Sequence, residues 1–250
     1  MSATPSLAGK VALVTGAARR IGAAIGRRLH LDGANIAVHY RGSAADAAAL
    51  CSEFNDLRPG SAFALQADLA DVGSMARIVD SVLGTFGRLD ILVNNASSFY
   101  PTPLAELKDA DWNDLVGTNL KAPLFLAQAA EPALRQSRGV IINIVDIHAQ
   151  RPLRNHAVYG AAKAGLAMLT RALAKDLAPD IRVNGVSPGA ILWPEAGMTE
   201  NIKASILRQI PAGRAGAPDD IAGCVLYLVR DATYVTGQII AVDGGRSIGW

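Results

Sequence analysis

The sequence carries little net charge and no long hydrophobic run, and each absence excludes a class of protein. Basic residues exceed acidic residues by only two over 250 residues, and no lysine- or arginine-rich tract occurs. A nucleic-acid partner is therefore not expected. The chain also lacks any run of about 18 consecutive apolar residues, the length a membrane-spanning helix needs, so no membrane partner is expected.

Cysteine is scarce as well. The two cysteines, Cys51 and Cys224, lie far apart in apolar helical patterns. They indicate neither a disulfide framework nor a metal site, and they predict buried thiols in a reducing compartment. The first eight residues lack the charged start and the apolar stretch of a secretory signal. These absences together predict a cytoplasmic protein.

Hydrophobic residues, in contrast, make up half of the chain, enough to bury one large core. Short apolar runs alternate with longer amphipathic stretches, which predicts parallel strands joined by right-handed helical crossovers. The predicted strands are Val11–Thr15, Asn35–Tyr40, Ser61–Ala67, Ile91–Asn94, Val140–Val145, Arg182–Ser187 and Gln238–Val242. The predicted helical stretches are Ile21–Asp32, Ala44–Leu57, Val72–Phe86, Lys108–Gln136, His156–Leu177 and Pro218–Val229.

This order predicts an α/β protein with a Rossmann-type, doubly wound, parallel seven-stranded sheet and helices on both faces. No linker or repeat divides the chain, so residues 1–250 are expected to form a single dinucleotide-binding and catalytic domain. A segment around 190–212 contains Trp193 and Pro194 but no obvious strand. It is expected to be an insertion over a site, with short helices as a lid.

A glycine turn follows the first predicted strand. Residues Thr15–Gly22 read TGAARRIG and open a helix. Glycine lets the backbone approach a pyrophosphate, and the free N–H groups at the helix start favour an anion. A plain glycine turn is the alternative, but its place after an N-terminal buried strand favours a dinucleotide site.

The end of the second strand indicates which nicotinamide cofactor fits. The strand ends in His39, Tyr40, Arg41, Gly42 and Ser43. NAD sites often hold the ribose 2′-hydroxyl with an acid here, and this chain has none. The Arg41 guanidinium and the Ser43 hydroxyl suit the 2′-phosphate of NADPH, unless Arg41 is only a solvated surface charge.

Tyr159 and Lys163 lie four residues apart in the helix after the fifth strand. Their side chains are therefore expected on one helical face. An ammonium beside a phenol favours phenolate, so the spacing predicts a lowered pKa for Tyr159. Tyr159 would then be a proton donor near neutral pH.

These motifs resemble the short-chain dehydrogenase/reductase family over essentially the whole chain. The matching positions are the glycine turn, Asp68 after strand three, Asn94-Asn95-Ala96 after strand four, Asn119, the Tyr159/Lys163 pair, Pro188-Gly189 and Val242-Asp243-Gly244-Gly245. In this family the lysine also holds the nicotinamide ribose, and the asparagine supports a proton relay through water. The family commonly forms tetramers through two long helices per subunit, which implies a homotetramer. The small residues of Tyr159–Ala172 fit close helix packing there, or packing on the chain's own sheet.

Two departures narrow the prediction. Arg20 stands where the family has the middle glycine of the glycine turn, and Asp146 stands where the family has its catalytic serine. A carboxylate cannot donate a hydrogen bond to a carbonyl unless it is protonated, so simple ketone reduction is disfavoured. Both departures resemble the pteridine reductase subgroup, as do the segments Asn95–Pro103 and His39–Ala45.

That resemblance implies which residues form the site. The implied catalytic residues are Asp146, Tyr159, Lys163 and Asn119. The implied cofactor-binding residues are Gly16, Arg19, Arg20, Ile21, Gly22, His39, Tyr40, Arg41, Ser43, Asp68, Leu69, Asn95, Ala96, Ser97, Lys163, Pro188 and Gly189. The implied substrate-binding residues are Arg20, Ser97, Phe99, Asp146, Tyr159 and Trp193. Phe99 would stack on one face of a pterin ring while the nicotinamide covers the other.

The implied activity is NADPH-dependent reduction of a dihydropterin to a tetrahydropterin, with dihydrofolate or an oxidised pterin as further substrates. Three side chains also have a structural interpretation. Asp146 would be a cap or a partner of His148 or Arg151, and Phe99 and Trp193 would be packing residues. A carbonyl or 3-oxoacyl reductase is the competing enzyme, and a non-catalytic NADPH-binding sensor is the competing protein of another class.

Overall fold

The structure is a computed structural model that describes residues 6–192 and 199–248. Its centre is a seven-stranded, entirely parallel sheet with the strand order β3-β2-β1-β4-β5-β6-β7. The strands are β1 Val11–Val14, β2 Asn35–Tyr40, β3 Ala62–Gln66, β4 Ile91–Asn94, β5 Val140–Ile144, β6 Arg182–Pro188 and β7 Ile239–Val242. Each lies where a short apolar run predicts it.

Helices cover both faces of this sheet, which confirms the predicted fold class. They are α1 Arg20–Leu31, α2 Ala44–Leu57, α3 Ser74–Phe86, α4 Asp109–Val116, α5 Ala122–Ser137, α6 Ala157–Leu177, α7 Glu200–Leu207 and α8 Pro218–Arg230. Successive β1 residues point to opposite faces. Val14 accordingly packs in the core beneath α1, α2 and α8, and Leu13 packs beneath α3 and α5. A strand buried on both sides needs the continuous apolar run that β1 has.

The long helix predicted over Lys108–Gln136 is interrupted in the structure. A π-helical turn, Gly117–Lys121, separates α4 from α5. The buried Asn119 side chain lies in this turn, and its amide nitrogen donates to the carbonyls of Leu115 and Ser98, at 2.9 Å each. The interruption thus turns a polar side chain inward, and single-turn π segments are frequent at functional sites.

A buried polar chain connects the centre of the sheet to α6. The Asn94 amide donates to Asn143 Oδ1 at 2.8 Å, and the Asn143 amide donates to Thr170 Oγ1 at 2.9 Å. Gly165 allows α6 to approach the π-helical turn, because a Cβ there would lie 2.8 Å from Leu120 Cδ2. These contacts fix α6, the helix that carries Tyr159 and Lys163, against β4 and β5.

Both cysteines are free thiols, and burial raises the pKa of each to about 11. Thiols with such a pKa are largely protonated at neutral pH, so they are weak nucleophiles. Within the described ranges, no helix has both the length and the apolar character that crossing a membrane requires.

Two buried histidines give the fold a predicted acid sensitivity. Burial lowers the pKa values of both His30 and His39 to about 4. His30 stacks on Phe54 with ring centroids 4.4 Å apart, and its Nε2 lies 2.7 Å from Ser61 Oγ. In the unfolded chain each histidine titrates near its usual value of about 6.5. Between those two values the unfolded state binds more protons than the folded state, so stability falls as the pH falls.

The free energy of unfolding is expected to drop as the pH is lowered from 6.5 to about 4. Each histidine contributes a loss on the order of 3 kcal/mol. Urea unfolding at several pH values measures this slope, and His39→Asn and His30→Asn should each flatten it while lowering stability at neutral pH. Equal slopes in the wild-type protein and both variants would contradict the assignment to these two side chains.

Candidate active site

A cleft of about 590 Å³ opens at the carboxyl ends of the strands on the β1–β2–β3 side, next to the point where the strand order reverses between β1 and β4. Ligands of open parallel sheets bind at such a point. Fourteen of the predicted cofactor residues line the cleft: Gly16, Arg19, Arg20, Ile21, Gly22, His39, Tyr40, Arg41, Ser43, Asp68, Leu69, Asn95, Ala96 and Ser97. Four residues that were not among the predicted cofactor-binding residues line it as well: Ala18, Gly42, Ser98 and Thr118.

The glycine turn has the geometry that a pyrophosphate requires. Gly16 has φ +60°, and a Cβ on Gly22 would lie 2.3 Å from the Gly16 carbonyl oxygen and 2.6 Å from the Asn95 amide nitrogen. Asn95 Nδ2 also donates to the Thr15 carbonyl at 2.8 Å, which joins the turn to the end of β4. Among the described residues, neither a side-chain cap nor an acid occupies the first turn of α1. The cleft therefore fits a dinucleotide, with the N–H groups of α1 facing its phosphates.

Arg20 sits in this turn with φ +54°, a backbone conformation that favours glycine. A residue other than glycine held in the left-handed region costs roughly 1–2 kcal/mol, and such strain concentrates at functional sites. The exposed Arg20 guanidinium lines the cleft. The strain is therefore best explained by a role of the side chain in binding.

Arg20→Gly is expected to raise the stability of the protein while weakening NADPH binding. The gain is about 1 kcal/mol from relieved backbone strain. The loss of a charge-assisted hydrogen bond should weaken binding by about tenfold or more. Thermal unfolding and cofactor titration measure the two effects, with Arg28→Ala, at the far end of α1, as the control for lost charge. An Arg20→Gly protein that binds NADPH with unchanged affinity would contradict the role of the side chain.

His39 contributes to the cleft through the backbone around it. Its buried ring accepts a hydrogen bond from the Gly16 N–H at Nδ1, 3.2 Å away, and its Nε2 lies 3.2 Å from the Ala67 carbonyl. Because Nδ1 accepts, the proton of the neutral ring lies on Nε2 and is donated to Ala67. The ring therefore fastens the glycine turn to the ends of β2 and β3.

Two arginines that line the cleft already have acidic partners. Arg19 Nε lies 3.6 Å from Asp46 Oδ2, and Arg41 Nη1 lies 3.9 Å from Asp114 Oδ1. All four side chains are at least one-third exposed. Such exposed pairs are weak, so either guanidinium can be transferred to a phosphate at little cost.

The predicted catalytic side chains Asp146 and Tyr159 meet at the end of β5. Tyr159 Oη donates to Asp146 Oδ2 at 2.7 Å, and Asp146 Oδ1 accepts from the His148 N–H at 2.8 Å. Asp146 thus caps the short 3-10 helix Ile147–Ala149, as its structural interpretation predicts, and also binds the phenol, as its functional interpretation predicts. Each of the two carboxylate oxygens serves one of these contacts.

The predicted direction of the Tyr159 pKa shift is wrong. Burial raises the pKa of Tyr159 above its usual value, and the charge of Asp146 and the hydrogen bond to it raise it further, although Ser97 acts in the opposite direction. Lys163 Nζ donates to the Ile144 carbonyl at 2.9 Å and lies 5.8 Å from the centroid of the Tyr159 ring. Burial lowers the pKa of Lys163 to about 8, opposed by Asp146. Tyr159 therefore keeps its proton at neutral pH.

Asn119 and Ser97 connect the cofactor cleft to this catalytic group. Ser97 Oγ donates to Asn119 Oδ1 at 2.7 Å, and Ser97 itself lines the cleft. The influence of Ser97 on the pKa of Tyr159 indicates that its hydroxyl also lies near the phenol. A polar path thus runs from the π-helical turn to the proton donor.

Phe99 stands beside the phenol of Tyr159. Its ring meets the Tyr159 ring edge to face, with centroids 4.8 Å apart, and stacks on His156 at the same centroid distance. About half of Phe99 remains exposed. Thr102 N–H donates to the Asn155 carbonyl at 2.6 Å, which fastens the Phe99 loop to the segment before α6. Trp193, the other predicted aromatic contact, lies outside the described residues.

The remaining predicted cofactor residues, Lys163, Pro188 and Gly189, do not line the cleft. Gly189 packs so closely on Asp243 that a Cβ would lie 2.6 Å from Asp243 Cβ. Arg246, which the motifs did not indicate, follows in the same C-terminal turn. Burial lowers its pKa, while the charges of Asp146 and Asp243 oppose that shift. The residues that follow β6 and β7 meet because β5, β6 and β7 are neighbours in the sheet. No short sequence motif predicts this neighbourhood.

A Rossmann-type sheet, a glycine turn and a buried Tyr-Lys pair together define an oxidoreductase that uses a nicotinamide dinucleotide. A family model described as enoyl-(acyl carrier protein) reductase matches residues 16–247. The chain belongs to the short-chain dehydrogenase/reductase family.

Similar proteins act on different substrates. Pteridine reductase 1 of Leishmania tarentolae is 38% identical over 287 residues, covering 98% of this chain and 99% of the relative. The 3-oxoacyl-[acyl-carrier-protein] reductase FabG of Staphylococcus aureus (strain Mu50) is 40% identical over 240 residues, covering 94% and 97%. An uncharacterised oxidoreductase of Methylorubrum extorquens is 38% identical over 245 residues, covering 96% and 98%. Overall similarity therefore does not distinguish pterin reduction from 3-oxoacyl reduction.

Proposed function

We propose that this enzyme reduces a C=N bond of a pterin ring with NADPH, converting a dihydropterin to a tetrahydropterin. Dihydrofolate and oxidised pterins are proposed as further substrates. The observation that carries the proposal is the 2.7 Å hydrogen bond between Tyr159 Oη and Asp146 Oδ2. The similarity to pteridine reductase 1 supports it.

The carboxylate favours a nitrogen heterocycle over a ketone. An ionised carboxylate only accepts hydrogen bonds, and a pterin offers N–H groups whereas a ketone offers only an acceptor oxygen. Phe99, half-exposed beside Tyr159, adds an aromatic surface for a flat ring. Arg20 and Ser97, both in the cleft lining, are proposed to hydrogen-bond the same ring.

The bound nicotinamide supplies the hydride for the carbon of the C=N bond. Tyr159, kept protonated by burial and by Asp146, donates its phenolic proton to the adjacent nitrogen. Asn119, hydrogen-bonded to Ser97, lies on the path by which the phenol would regain a proton. Lys163 is held by the Ile144 carbonyl and is proposed to bind the nicotinamide ribose. Pro188 and Gly189 are proposed to border the nicotinamide.

NADPH is proposed as the cofactor because the ribose end of the cleft is basic. Arg19, Arg41 and Ser43 line it, and β2 ends without the acid that holds a ribose 2′-hydroxyl. A guanidinium matches the geometry of a phosphate, whereas the 2′-hydroxyl of NADH gains little from it.

The second candidate function is 3-oxoacyl reduction, which the 40% identity to the S. aureus enzyme favours. It requires a donor to the carbonyl oxygen, and Asp146 supplies none when ionised. A non-catalytic NADPH sensor is the third candidate, and the intact hydrogen bond between Tyr159 and Asp146 argues against it.

Steady-state NADPH oxidation by the purified protein tests the proposal. Dihydrobiopterin, dihydromonapterin, dihydrofolate and a 3-oxoacyl thioester are compared at equal concentrations. Turnover is expected with at least one of the three pterin compounds and at a much lower kcat/KM with the thioester. The reverse order would establish the second candidate, and cofactor binding without turnover on any substrate would establish the third.

We also propose that the protein forms a homotetramer and lies in the cytoplasm. Ala161, Ala164 and Met168 form an exposed face of α6, and Leu124 is partly exposed on α5. The other small residues of α6, such as Ala162 and Ala167, pack in the chain's own interior. The exposed face therefore suits contact with a second subunit, and the free thiols suit a reducing compartment.

A further inference from the structure

The Arg41–Asp114 pair places a negative charge at the end of the cleft where the proposed cofactor carries its extra phosphate. Arg41 lines the cleft, and so does Thr118, one helical turn after Asp114. The Arg41 guanidinium nitrogen is 3.9 Å from the Asp114 carboxylate oxygen. A 2′-phosphate bound by Arg41 would therefore lie within a few ångströms of a carboxylate of the same sign.

The position of Asp114 does not depend on Arg41 alone. It lies in α4, whereas Arg41 lies in the loop after β2, with its carbonyl bound by the Gln66 side chain at 3.0 Å. Burial raises the pKa of Tyr100 and the nearby Asp114 carboxylate raises it further, so the carboxylate also faces the Phe99 loop. With about one-third of its side chain exposed, Asp114 is also the less exposed member of the ion pair. The carboxylate is therefore expected to stay in place when the arginine binds a phosphate.

We infer that Asp114 determines how strongly the enzyme prefers NADPH over NADH, by competing with the 2′-phosphate for Arg41 and by repelling it. This inference rests on the proposed use of NADPH. NADH has no 2′-phosphate, so its binding does not depend on the pair. Asp114 therefore weakens the affinity for NADPH alone.

The test is a titration of the protein with NADPH and with NADH, followed by cofactor fluorescence and by calorimetry, without any substrate. Asp114→Asn is expected to tighten NADPH binding by about three- to tenfold, since it removes an exposed ion pair and one like charge. NADH binding should not change. The gain should shrink as salt is added, because exposed charges are screened.

Two further variants test whether Asp114 acts through Arg41 or only through the total charge of α4. Asp109→Asn removes the same charge from α4, but its carboxylate binds Asn113 at 2.7 Å, so the preference should not change. In an Arg41→Gln background, Asp114→Asn should lose most of its effect. Weaker NADPH binding in Asp114→Asn, or an equal change for both cofactors, would overturn the inference. A wild-type protein without preference for NADPH would instead overturn the proposed cofactor.

Discussion

Tyr159→Phe is expected to lower kcat for the preferred pterin by about 10²–10⁴-fold, the usual contribution of a positioned proton donor. The variant removes one oxygen from a side chain that is 4% exposed. The ring should still fill its place in the cluster with Leu115 and Val158. What is lost is the proton that burial and Asp146 retain on the phenol.

Steady-state kinetics and NADPH titration separate this chemical effect from a structural one. The affinity for NADPH should change little, because Tyr159 does not line the cofactor cleft. Tyr227→Phe, on an exposed part of α8, is the matched control and should retain full activity. Near-normal turnover by Tyr159→Phe would show that another group delivers the proton.

Asp146→Ser is expected to lower kcat/KM for pterins by about 100-fold and to raise activity with 3-oxoacyl thioesters or ketones. Serine restores the hydroxyl donor that a carbonyl substrate needs, and it removes an ionised acceptor. Hydrogen bonds to charged groups contribute about 1.5–3 kcal/mol each, which sets the size of the loss. The change in substrate preference, more than the loss of pterin activity, shows which class of substrate the Asp146 carboxylate favours.

Asp146→Asn distinguishes charge from shape in the same experiment. Its amide keeps an oxygen that can accept from the Tyr159 hydroxyl or from the His148 N–H, contacts of 2.7 and 2.8 Å in the wild-type protein. If charge is what matters, Asp146→Asn should lose pterin turnover as severely as Asp146→Ser and should gain less carbonyl activity. Unchanged pterin turnover in both variants would remove the basis of the proposed function.

The centre of the sheet was predictable because β1, β4 and β5 are buried on both faces. Runs such as Val140–Ile144 are apolar at every position but one, and the exception, Asn143, pairs within the core. Gly117 and Pro123 flank the break between α4 and α5, but these two residues alone do not predict a π-helical turn. It depends on the Asn119 amide reaching Ser98, which lies 21 positions earlier in the chain.

The cofactor cleft was predictable to nearly the same degree, since glycines and arginines at strand ends serve only a few purposes. The electrostatics of the catalytic group were not. Four-residue spacing places Tyr159 and Lys163 on one side of α6, but it contains no information on burial or on Asp146, which together determine the pKa of the phenol. Likewise, Asp114 reaches Arg41 through a tertiary contact that no motif records.

The π-helical turn also sets how two parts of the site are oriented. A π-helical turn contains one extra residue, which rotates the residues after it by about 100° about the helix axis relative to a regular α-helix. Thr118 consequently borders the cleft while its neighbour Asn119 turns inward. Shortening this segment by a single residue would bring α4 and α5 back into phase and separate the asparagine from the Ser98 and Leu115 carbonyls. The number of residues between the two helices, as much as their identity, thus aligns Thr118 with the cleft and Asn119 with Ser97.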